Sequence, residues 1–191
     1  MRRKIQCLLV GLLVSGFLIY PAFAESSFPD VDEYSEYAEA TEYVNELGIM
    51  VGDDQGNFNP YATVTRAEMA TIICRMLDET VNLPSATTFT DVPIGHWANT
   101  YVGKAAELGI VNGYGNGKFG PSDGVTYEQA VVMVIRALGG STLAEELGGY
   151  PDGYLIIANE NNYLRGISSQ NGDAMSRGDV AILLYNFYSY D

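Results

Sequence analysis

The chain has 191 residues, with 10 basic and 24 acidic side chains and a formal net charge of −14 at pH 7. Three of the basic residues and none of the acidic ones lie in residues 1–24, so the rest of the chain carries a charge of −17. This charge argues against nucleic acid and anionic lipid as partners. The length suits one substantial domain or a few small modules.

Residues 1–24 have the pattern of a secretory signal peptide. Residues 2–4 are basic, a nearly uninterrupted apolar run follows, and Ala22 and Ala24 frame a small-x-small cleavage site. The apolar run lies near the lower length limit for a membrane span, so an uncleaved anchor is the competing interpretation. We expect cleavage after Ala24, which predicts a secreted protein with no membrane segment once it is cleaved.

From residue 28 onward the sequence repeats itself without a gap at an offset of 61 residues. The matches extend to residue 77. Amino-acid composition alone would not produce so many matches at one offset, so they indicate a tandem repeat. The matched pairs include Phe28/Phe89, Asp30/Asp91, Gly48/Gly109, Gly52/Gly113, Phe58/Phe119, Pro60/Pro121 and Arg75/Arg136.

We assign a first repeat to residues 28–77, a second to residues 89–138 and a shortened third to residues 150–188. In the third repeat we expect residues 150–152 to correspond to residues 28–30, and residues 164–167 to residues 107–110. The Gly-x-Phe-x-Pro loop of the first two repeats is missing from the third. Residues 78–88 and 139–149 are expected to be connectors.

Within each repeat the pattern predicts helix, loop and helix, so the predicted fold class is all-α. The first helices should end at the left-handed glycines Gly48 and Gly109. A two-helix unit cannot bury both of its apolar faces alone, so the three units should share one core. The predicted buried positions are Tyr37, Ala40, Val44, Leu47; Trp97 or Ala98, Tyr101, Ala105, Leu108; Ala70, Ile73, Leu77; Val131, Val134, Ile135, Leu138; and Val180, Leu183, Leu184, Phe187.

Each second helix is expected to begin with a capping box, in which a hydroxyl accepts from an early backbone N–H and the third residue reaches back. The pairs are Thr65/Glu68, Thr126/Gln129 and Ser176/Asp179. The residue after the cap is Arg66 in the first repeat, Tyr127 in the second and Arg177 in the third. The capping residues are therefore present three times, but the cation only twice.

Together these motifs resemble the S-layer homology domain. The matching segments are FTDV at residue 89, HWA at 96, LGIVNGY at 108, GKFGP at 117 and VTRAEMA at 64. The resemblance covers residues 28 to 188 and implies three helix-loop-helix repeats packed around a pseudo-threefold axis. It also implies a non-catalytic module at the bacterial cell surface. Such a module binds a secondary cell-wall polysaccharide with pyruvylated sugars in the grooves between repeats.

The resemblance makes Arg66 and Arg177 the first candidates for polymer contacts. A pyruvate ketal presents a carboxylate, which a protein of charge −17 repels unless a local cation overrides the field. The planar guanidinium can hold a carboxylate in a bidentate pair, beside the unpaired N–H groups of a helix N-terminus. The competing interpretation is a surface arginine paired with Glu68 or another acidic neighbour.

Aromatic residues near the helix starts are further candidates. Trp97 could stack on a sugar face or fill the core where its helix begins. Tyr127 stands where the other repeats have arginine, so we expect stacking or hydrogen bonding there in place of a carboxylate grip.

The remaining candidates for polymer contacts are acidic residues and glycines. Glu68 belongs to the capping box beside Arg66. Asp30 and Asp91 are expected first to cap a turn or a helix, with groove contact second. Gly52 and Gly113 are expected to serve backbone geometry and to let the polymer approach closely.

No metal or cofactor is predicted. Asp53, Gln55 and Asn57 have a spacing similar to a calcium loop, but Phe58 follows where that loop needs glycine. His96 is the only histidine, too few for a histidine-based metal site or catalytic triad. The first alternative to wall-polymer binding is a module whose polymer sites are partly lost and which binds other surface proteins. A cell-wall-remodelling enzyme is the weaker alternative.

Overall fold

The structure is a computed structural model that describes residues 26–78 and 87–190. The predicted signal peptide, residues 1–24, and most of the first predicted connector lie outside these residues. The helices in the described ranges are α1 (Ala38–Glu46), α2 (Arg66–Met76), α3 (Asn99–Glu107), α4 (Tyr127–Ala137), α5 (Ser141–Glu146), α6 (Asp152–Glu160) and α7 (Arg177–Tyr190). These ranges contain no strand, only three isolated β-bridges, which confirms the all-α prediction. None of these helices is long and apolar enough to cross a membrane.

The second helices of the first two repeats begin with complete capping boxes, as predicted. At α2, the Glu68 N–H donates to Thr65 Oγ1 at 3.3 Å, and the Thr65 N–H donates to Glu68 Oε2 at 2.8 Å. At α4, the Gln129 N–H donates to Thr126 Oγ1 at 3.3 Å, and the Thr126 N–H donates to Gln129 Oε1 at 3.4 Å. Glutamate and glutamine therefore perform the same structural role.

The third box is only half formed. The Asp179 N–H donates to Ser176 Oγ at 3.0 Å, but the Asp179 carboxylate does not reach back to the cap. It accepts instead from the N–H groups of Ser168 and Ser169, at 3.1 and 2.9 Å. The shorter aspartate side chain serves the neighbouring loop in place of the helix start.

The first helices end in left-handed residues, and this feature corrects the predicted alignment of the third repeat. Gly48 has φ of 68° and Gly109 has φ of 71°, as expected. In the third repeat the corresponding residue is Asn162, with φ of 62°, because asparagine also tolerates this conformation. The predicted correspondence of residues 164–167 with residues 107–110 is therefore wrong.

The start of the third repeat also differs from the expectation. Pro151 directly precedes α6 at its N-cap, the position that Tyr37 occupies at α1 and Ala98 at α3. Tyr150 therefore corresponds to Trp97, and Asp152 begins α6 without lying in a turn as Asp30 does. Residues 150–152 and residues 28–30 therefore have similar sequences but occupy different positions in their repeats. The connector at residues 139–149 contains helix α5, which packs on α6.

Most predicted core positions are buried, and Leu77, Tyr101, Leu138 and Phe187 are partly buried against the core. Two predicted leucines are exposed. Leu47 is 49% exposed and Leu108 is 42% exposed, because the chain turns at the following glycine. Ile49 and Ile110, the residues after those glycines, enter the core in their place. Trp97 is 59% exposed and Ala98 is fully buried, so the core position is the alanine.

Helices of neighbouring repeats pack in a closed cycle. Helix α3 of the second repeat packs on α2 of the first, and α6 of the third packs on α4 of the second. The cycle closes because α1 of the first repeat packs on α7 of the third. Each first helix therefore covers the second helix of another repeat, and this arrangement produces the shared core.

A triangle of backbone hydrogen bonds joins the three repeats at the centre of this cycle. The Val64 N–H donates to Met175 O at 3.0 Å, Val125 N–H to Val64 O at 2.9 Å, and Met175 N–H to Val125 O at 2.8 Å. All three residues are fully buried. The bonds run head to tail around the triangle, as expected for a pseudo-threefold axis.

Leu184→Ala tests whether the closed cycle unfolds as one unit. Leu184 is fully buried in α7, so we expect a loss of about 2–5 kcal/mol of unfolding free energy in denaturant titration. Amide hydrogen exchange should speed up in α1 as well as in α7, because α1 packs on α7. Leu143→Ala, at a half-exposed site in α5, is the matched control and should change stability by less than about 0.5 kcal/mol. Unchanged exchange in α1 would contradict closure.

Candidate functional site

Arg66 is held by the loop of the second repeat. Its Nε donates to Phe119 O at 2.9 Å and its Nη2 donates to Asn112 O at 2.8 Å. The guanidinium lies over the rings of Phe119 and Tyr114, 4.6 and 5.0 Å from their centroids. Only 8% of Arg66 is exposed, so the expected surface pairing with Glu68 or an acidic neighbour does not describe it.

Arg177 makes the same contacts with the loop of the first repeat. Its Nε donates to Phe58 O at 2.8 Å, its Nη2 donates to Val51 O at 3.0 Å, and its guanidinium lies 4.9 Å from the Phe58 ring centroid. Burial lowers the pKa of Arg177, and the negative charges of Glu68, Asp30 and Asp53 oppose that shift. Both arginines thus place a cation against neutral carbonyl groups.

The absence of arginine at Tyr127 has a structural reason. Each arginine contacts the Gly-x-Phe-x-Pro loop of another repeat, and the cycle would place residue 127 against the third repeat, where that loop is missing. Tyr127 is partly buried and packs against the core, and burial raises its pKa. The second repeat thus lacks the arginine, and the third repeat lacks the loop that this arginine would contact.

The N–H groups at these helix starts are already satisfied by the protein. Arg66 N–H donates to Asp123 O at 2.9 Å, and Ala67 N–H donates to Pro121 O at 3.1 Å. Arg177 N–H donates to Ala62 O at 2.8 Å in the same way. The expectation of unpaired N–H groups beside the arginines is therefore wrong, and a ligand would meet the guanidinium groups instead.

Asp30 and Asp91 organise the loops. Asp30 accepts from the N–H groups of Phe58 and Asn59, both at 2.7 Å, and Asp91 accepts from those of Phe119 and Gly120, both at 2.8 Å. Asp179 performs the same role for the third repeat. Desolvation acts to raise the pKa of Asp91, but these N–H groups together hold it below its usual value.

Gly52 and Gly113 are required by packing within the same loops. A Cβ at Gly113 would lie 2.4 Å from Phe89 Cε1 and 2.6 Å from Lys118 O, and one at Gly52 would lie 3.0 Å from Phe28 Cε1. Neither glycine has a positive φ, so the close approach of the loop to the phenylalanine of the Phe-x-Asp-Val motif, and not a left-handed backbone, requires glycine here.

The Arg177 groove is formed by residues from all three repeats. The first repeat supplies Glu68 and Arg75, the second supplies Trp97 and the third supplies Arg177. Arg75 Nη1 is 3.4 Å from Ile49 O. Its other lining residues are Ile49, Met50, Val51, Thr71 and Ile72.

The Arg66 groove has the same construction one repeat further along the chain. The second repeat supplies Gln129 and Arg136, the segment before α6 supplies Tyr150 and the first repeat supplies Arg66. Tyr150, 58% exposed, takes the place of Trp97. The remaining lining residues are Ile110, Val111, Asn112, Val132 and Met133.

Sequence reasoning missed Arg75, Arg136 and Tyr150 as groove residues. The two arginines were visible as a matched pair at the repeat offset. Tyr150 was hidden by the wrong alignment of the third repeat. Of the candidates, Arg66, Arg177, Glu68 and Trp97 line the two grooves, whereas Tyr127, Asp30, Asp91, Gly52 and Gly113 do not.

The third position of the cycle forms a different recess, the Glu36 groove. Its walls carry Glu36 and Glu39 from the first repeat, and Arg165, Tyr185 and Asn186 from the third. Glu36 stands where the other grooves have an exposed aromatic residue, and Asn186 stands where they have Arg75 or Arg136. Asn186 is committed to the carbonyl oxygens of residues 163 and 165. This groove has therefore lost the paired arginines.

The basic residues are concentrated in the two arginine-lined grooves. After residue 24 the chain has seven basic residues, and four of them line these grooves: Arg66, Arg75, Arg136 and Arg177. The same part of the chain has 24 acidic residues. Pairs of guanidinium groups therefore form local cationic sites in an anionic protein.

Comparison with known proteins identifies the family of the first two repeats. The sequence model of the S-layer homology domain matches residues 27–70 and 88–131, which contain the first helix and part of the second helix of the first two repeats. The first two repeats belong to the S-layer homology domain family. The third unit, with its missing loop, lies outside the two matched segments.

Three relatives show what kinds of protein the chain is similar to. A "Cell surface protein" of Thermoanaerobacter kivui is 32% identical over 92% of this chain and 24% of its own length. A "Middle cell wall protein" of Brevibacillus brevis is 32% identical over 88% of the chain and 16% of its own length. An "Amylopullulanase" of Thermoanaerobacterium thermosulfurigenes is 37% identical over 58% of the chain and 6% of its own length. The chain thus spans a quarter or less of these relatives.

Gly113→Ala tests the loop packing beside Arg66. The added Cβ would collide with Phe89 and with the Lys118 carbonyl, so we expect a loss of about 1–3 kcal/mol of unfolding free energy, measured by urea titration. Gly95→Ala is the matched control, because its Cβ would meet no atom within 4 Å, and it should change stability by less than about 0.5 kcal/mol. Equal effects at the two sites would contradict the packing role.

Acid should weaken the loops through Asp91. The pKa of Asp91 is lower in the folded state than in the unfolded state. Its contribution to the free energy of unfolding is therefore complete above the unfolded pKa of about 3.9, and it is lost as the pH falls through the folded pKa. We expect Asp91→Asn to lower the melting temperature near neutral pH. We also expect the variant to lose less of its melting temperature than wild type between about pH 6 and pH 3. Identical pH dependence in the two proteins would exclude this contribution.

Proposed function

We propose that this S-layer homology module anchors its protein to the bacterial cell wall by binding an anionic wall polysaccharide non-covalently. The Arg177 groove and the Arg66 groove are the proposed binding sites, and pyruvylated sugars are the proposed ligand units. The observation that carries the proposal is the concentration of four arginines in two equivalent grooves of a strongly acidic protein.

Electrostatics favours an anionic ligand in these grooves. A carboxylate approaching the rest of the surface is repelled, so paired guanidinium groups are needed to hold it. In each groove the guanidinium of Arg66 or Arg177 uses two of its five N–H donors for backbone carbonyl oxygens, which orients it without neutralising its charge. The exposed ring of Trp97 or Tyr150 lies in the same groove, suited to stacking on a sugar face.

Groove size favours a polymer segment over an enclosed small molecule. The Arg177 and Arg66 grooves have volumes of about 130 and 200 Å³. Both are smaller than the roughly 300–1,000 Å³ of sites that enclose a drug-sized ligand. A sugar unit carrying one carboxylate fits such a recess while the chain on either side of it stays outside. No catalytic step is proposed for either groove.

The similarity to surface proteins supports a location at the cell wall. The printed names of the Thermoanaerobacter kivui and Brevibacillus brevis relatives refer to the cell surface and the cell wall. The amylopullulanase shares the repeats across a small part of its length, which fits a module joined to different cargo. The Glu36 groove, with two glutamates and no arginine pair, is proposed not to bind the polymer.

Wall binding by Arg75→Ala/Arg136→Ala tests the proposal. These arginines make longer hydrogen bonds than Arg66 and Arg177, namely Arg75 to Ile49 O at 3.4 Å and Arg136 to Ile110 O at 3.3 Å. The variant should therefore fold while losing one cation from each groove. In sedimentation with purified wall sacculi we expect at least about tenfold weaker binding, since hydrogen bonds to charged groups contribute roughly 1.5–3 kcal/mol each. Sacculi stripped of the secondary polymer, or depyruvylated, should no longer bind the wild-type protein.

The matched control is Lys104→Ala/Lys118→Ala, which removes the same charge outside the two grooves. It should bind sacculi within about twofold of wild type, because neither lysine lines a groove and salt weakens the effect of charges outside a site. If the two double variants lose the same amount of binding, the loss comes from the change in net charge, and the grooves are not the binding sites. Release of sugar or peptide fragments from the wall by the wild-type protein would favour the enzyme alternative instead.

A further inference from the structure

The two arginine-lined grooves differ in charge at one equivalent position. Glu68 lines the Arg177 groove, and Gln129 lines the Arg66 groove. Both residues are third in their capping boxes, on α2 and α4. Each groove otherwise has two arginines and one exposed aromatic ring, so this position is the main difference in formal charge between them.

The capping box leaves one polar atom of each side chain outside the cap. Glu68 Oε2 accepts from both the N–H and the hydroxyl of Thr65, at 2.8 Å each, and this leaves Oε1 outside the cap. Gln129 Oε1 accepts from the Thr126 N–H, and this leaves the Nε2 amide group outside the cap. The orientation of the Gln129 amide follows from the cap, because a backbone N–H requires an oxygen there. One groove thus gains a charged acceptor and the other a neutral donor.

Acidic residues lie near both arginines. Asp30 and Asp53 act on Arg177 in addition to Glu68. Near Arg66, Asp91 accepts from the Phe119 N–H at 2.8 Å and Asp123 accepts from the Tyr114 hydroxyl at 2.7 Å. Among the residues that line the two grooves, position 68 or 129 is therefore the one that differs in formal charge.

We propose that the residue at position 68 or 129 sets the ligand preference of its groove. Gln129 makes the Arg66 groove the stronger carboxylate site, with the amide as an added donor. Glu68 makes the Arg177 groove weaker for a carboxylate and selective for a ligand that also presents a hydroxyl group to Oε1. This inference rests on the proposed polymer binding, and it predicts two unequal sites on one polymer.

The exchange variants Glu68→Gln and Gln129→Glu test the inference. Each places in one capping box the residue that the other box already uses, so both variants should fold and melt within a few degrees of wild type. The probe is a short oligosaccharide with one pyruvate ketal, and the same oligosaccharide with its carboxylate esterified is the neutral control. NMR titration separates the sites, because Met50 and the sole tryptophan, Trp97, line the Arg177 groove and Met133 lines the Arg66 groove.

In wild type we expect the Met133 signal to saturate at a lower probe concentration than the Met50 and Trp97 signals. Glu68→Gln should tighten binding at the Arg177 groove by about three- to tenfold, and Gln129→Glu should weaken it at the Arg66 groove by a similar factor, as expected for one partly screened charge. The esterified probe should show neither change. At about 1 M salt, where the Debye length is about 3 Å, both changes should shrink.

The outcomes separate the inference from the function on which it rests. If the probe binds at both grooves with equal affinity and the exchanges leave the two dissociation constants unchanged, the inference is wrong and the proposed function stands. Tighter wild-type binding at the Arg177 groove also overturns it. If the probe shifts none of the three signals in wild type, the proposed function fails and the inference fails with it.

Discussion

The triangle of backbone hydrogen bonds among Val64, Val125 and Met175 is the constraint on which the rest of the structure depends. Buried N–H and C=O groups must be paired, and at the centre of this fold each can be paired only by another repeat. The residues that follow in each repeat are the capping residues of the second helices. Fixing the triangle therefore fixes where α2, α4 and α7 begin, and with them the positions of residues 66, 127 and 177.

From these positions the arginines contact another repeat and connect stability with the proposed binding. Arg66 and Arg177 hold loop carbonyl groups, and these contacts aim the guanidinium groups into the grooves. Preorganisation of this kind reduces the conformational entropy lost when a ligand binds. Residue 127 has no such loop to reach, and a tyrosine packs there. A cation is present wherever its supporting loop is present, so the number of proposed sites follows from the number of intact loops.

Local features of the fold could be predicted from the sequence, and contacts between repeats could not. The capping pair Thr65/Glu68 and the left-handed Gly48 depend on residues a few positions away, so their pattern is sufficient. The role of Arg66 depends on Phe119, which belongs to another repeat, and no local pattern indicates that contact. Tyr150 was misassigned because the shortened third repeat shifts its register relative to the second. The grooves are built from three repeats at once, so sequence reasoning found only some of their residues.

The contact of α1 with α7 fixes the copy number of the repeat. A linear array of repeats can be extended or shortened by one unit, because its end units expose surfaces that another unit can cover. In a closed cycle the first helix of the first repeat already covers the second helix of the third repeat. A fourth repeat would have no uncovered helix to pack on, and removal of one repeat would expose the apolar faces of its two neighbours. The third unit therefore keeps its helices although it lacks the loop and has Asn186 at the position of Arg75 and Arg136. It completes the ring and supplies Arg177 and Tyr150 to the other two grooves.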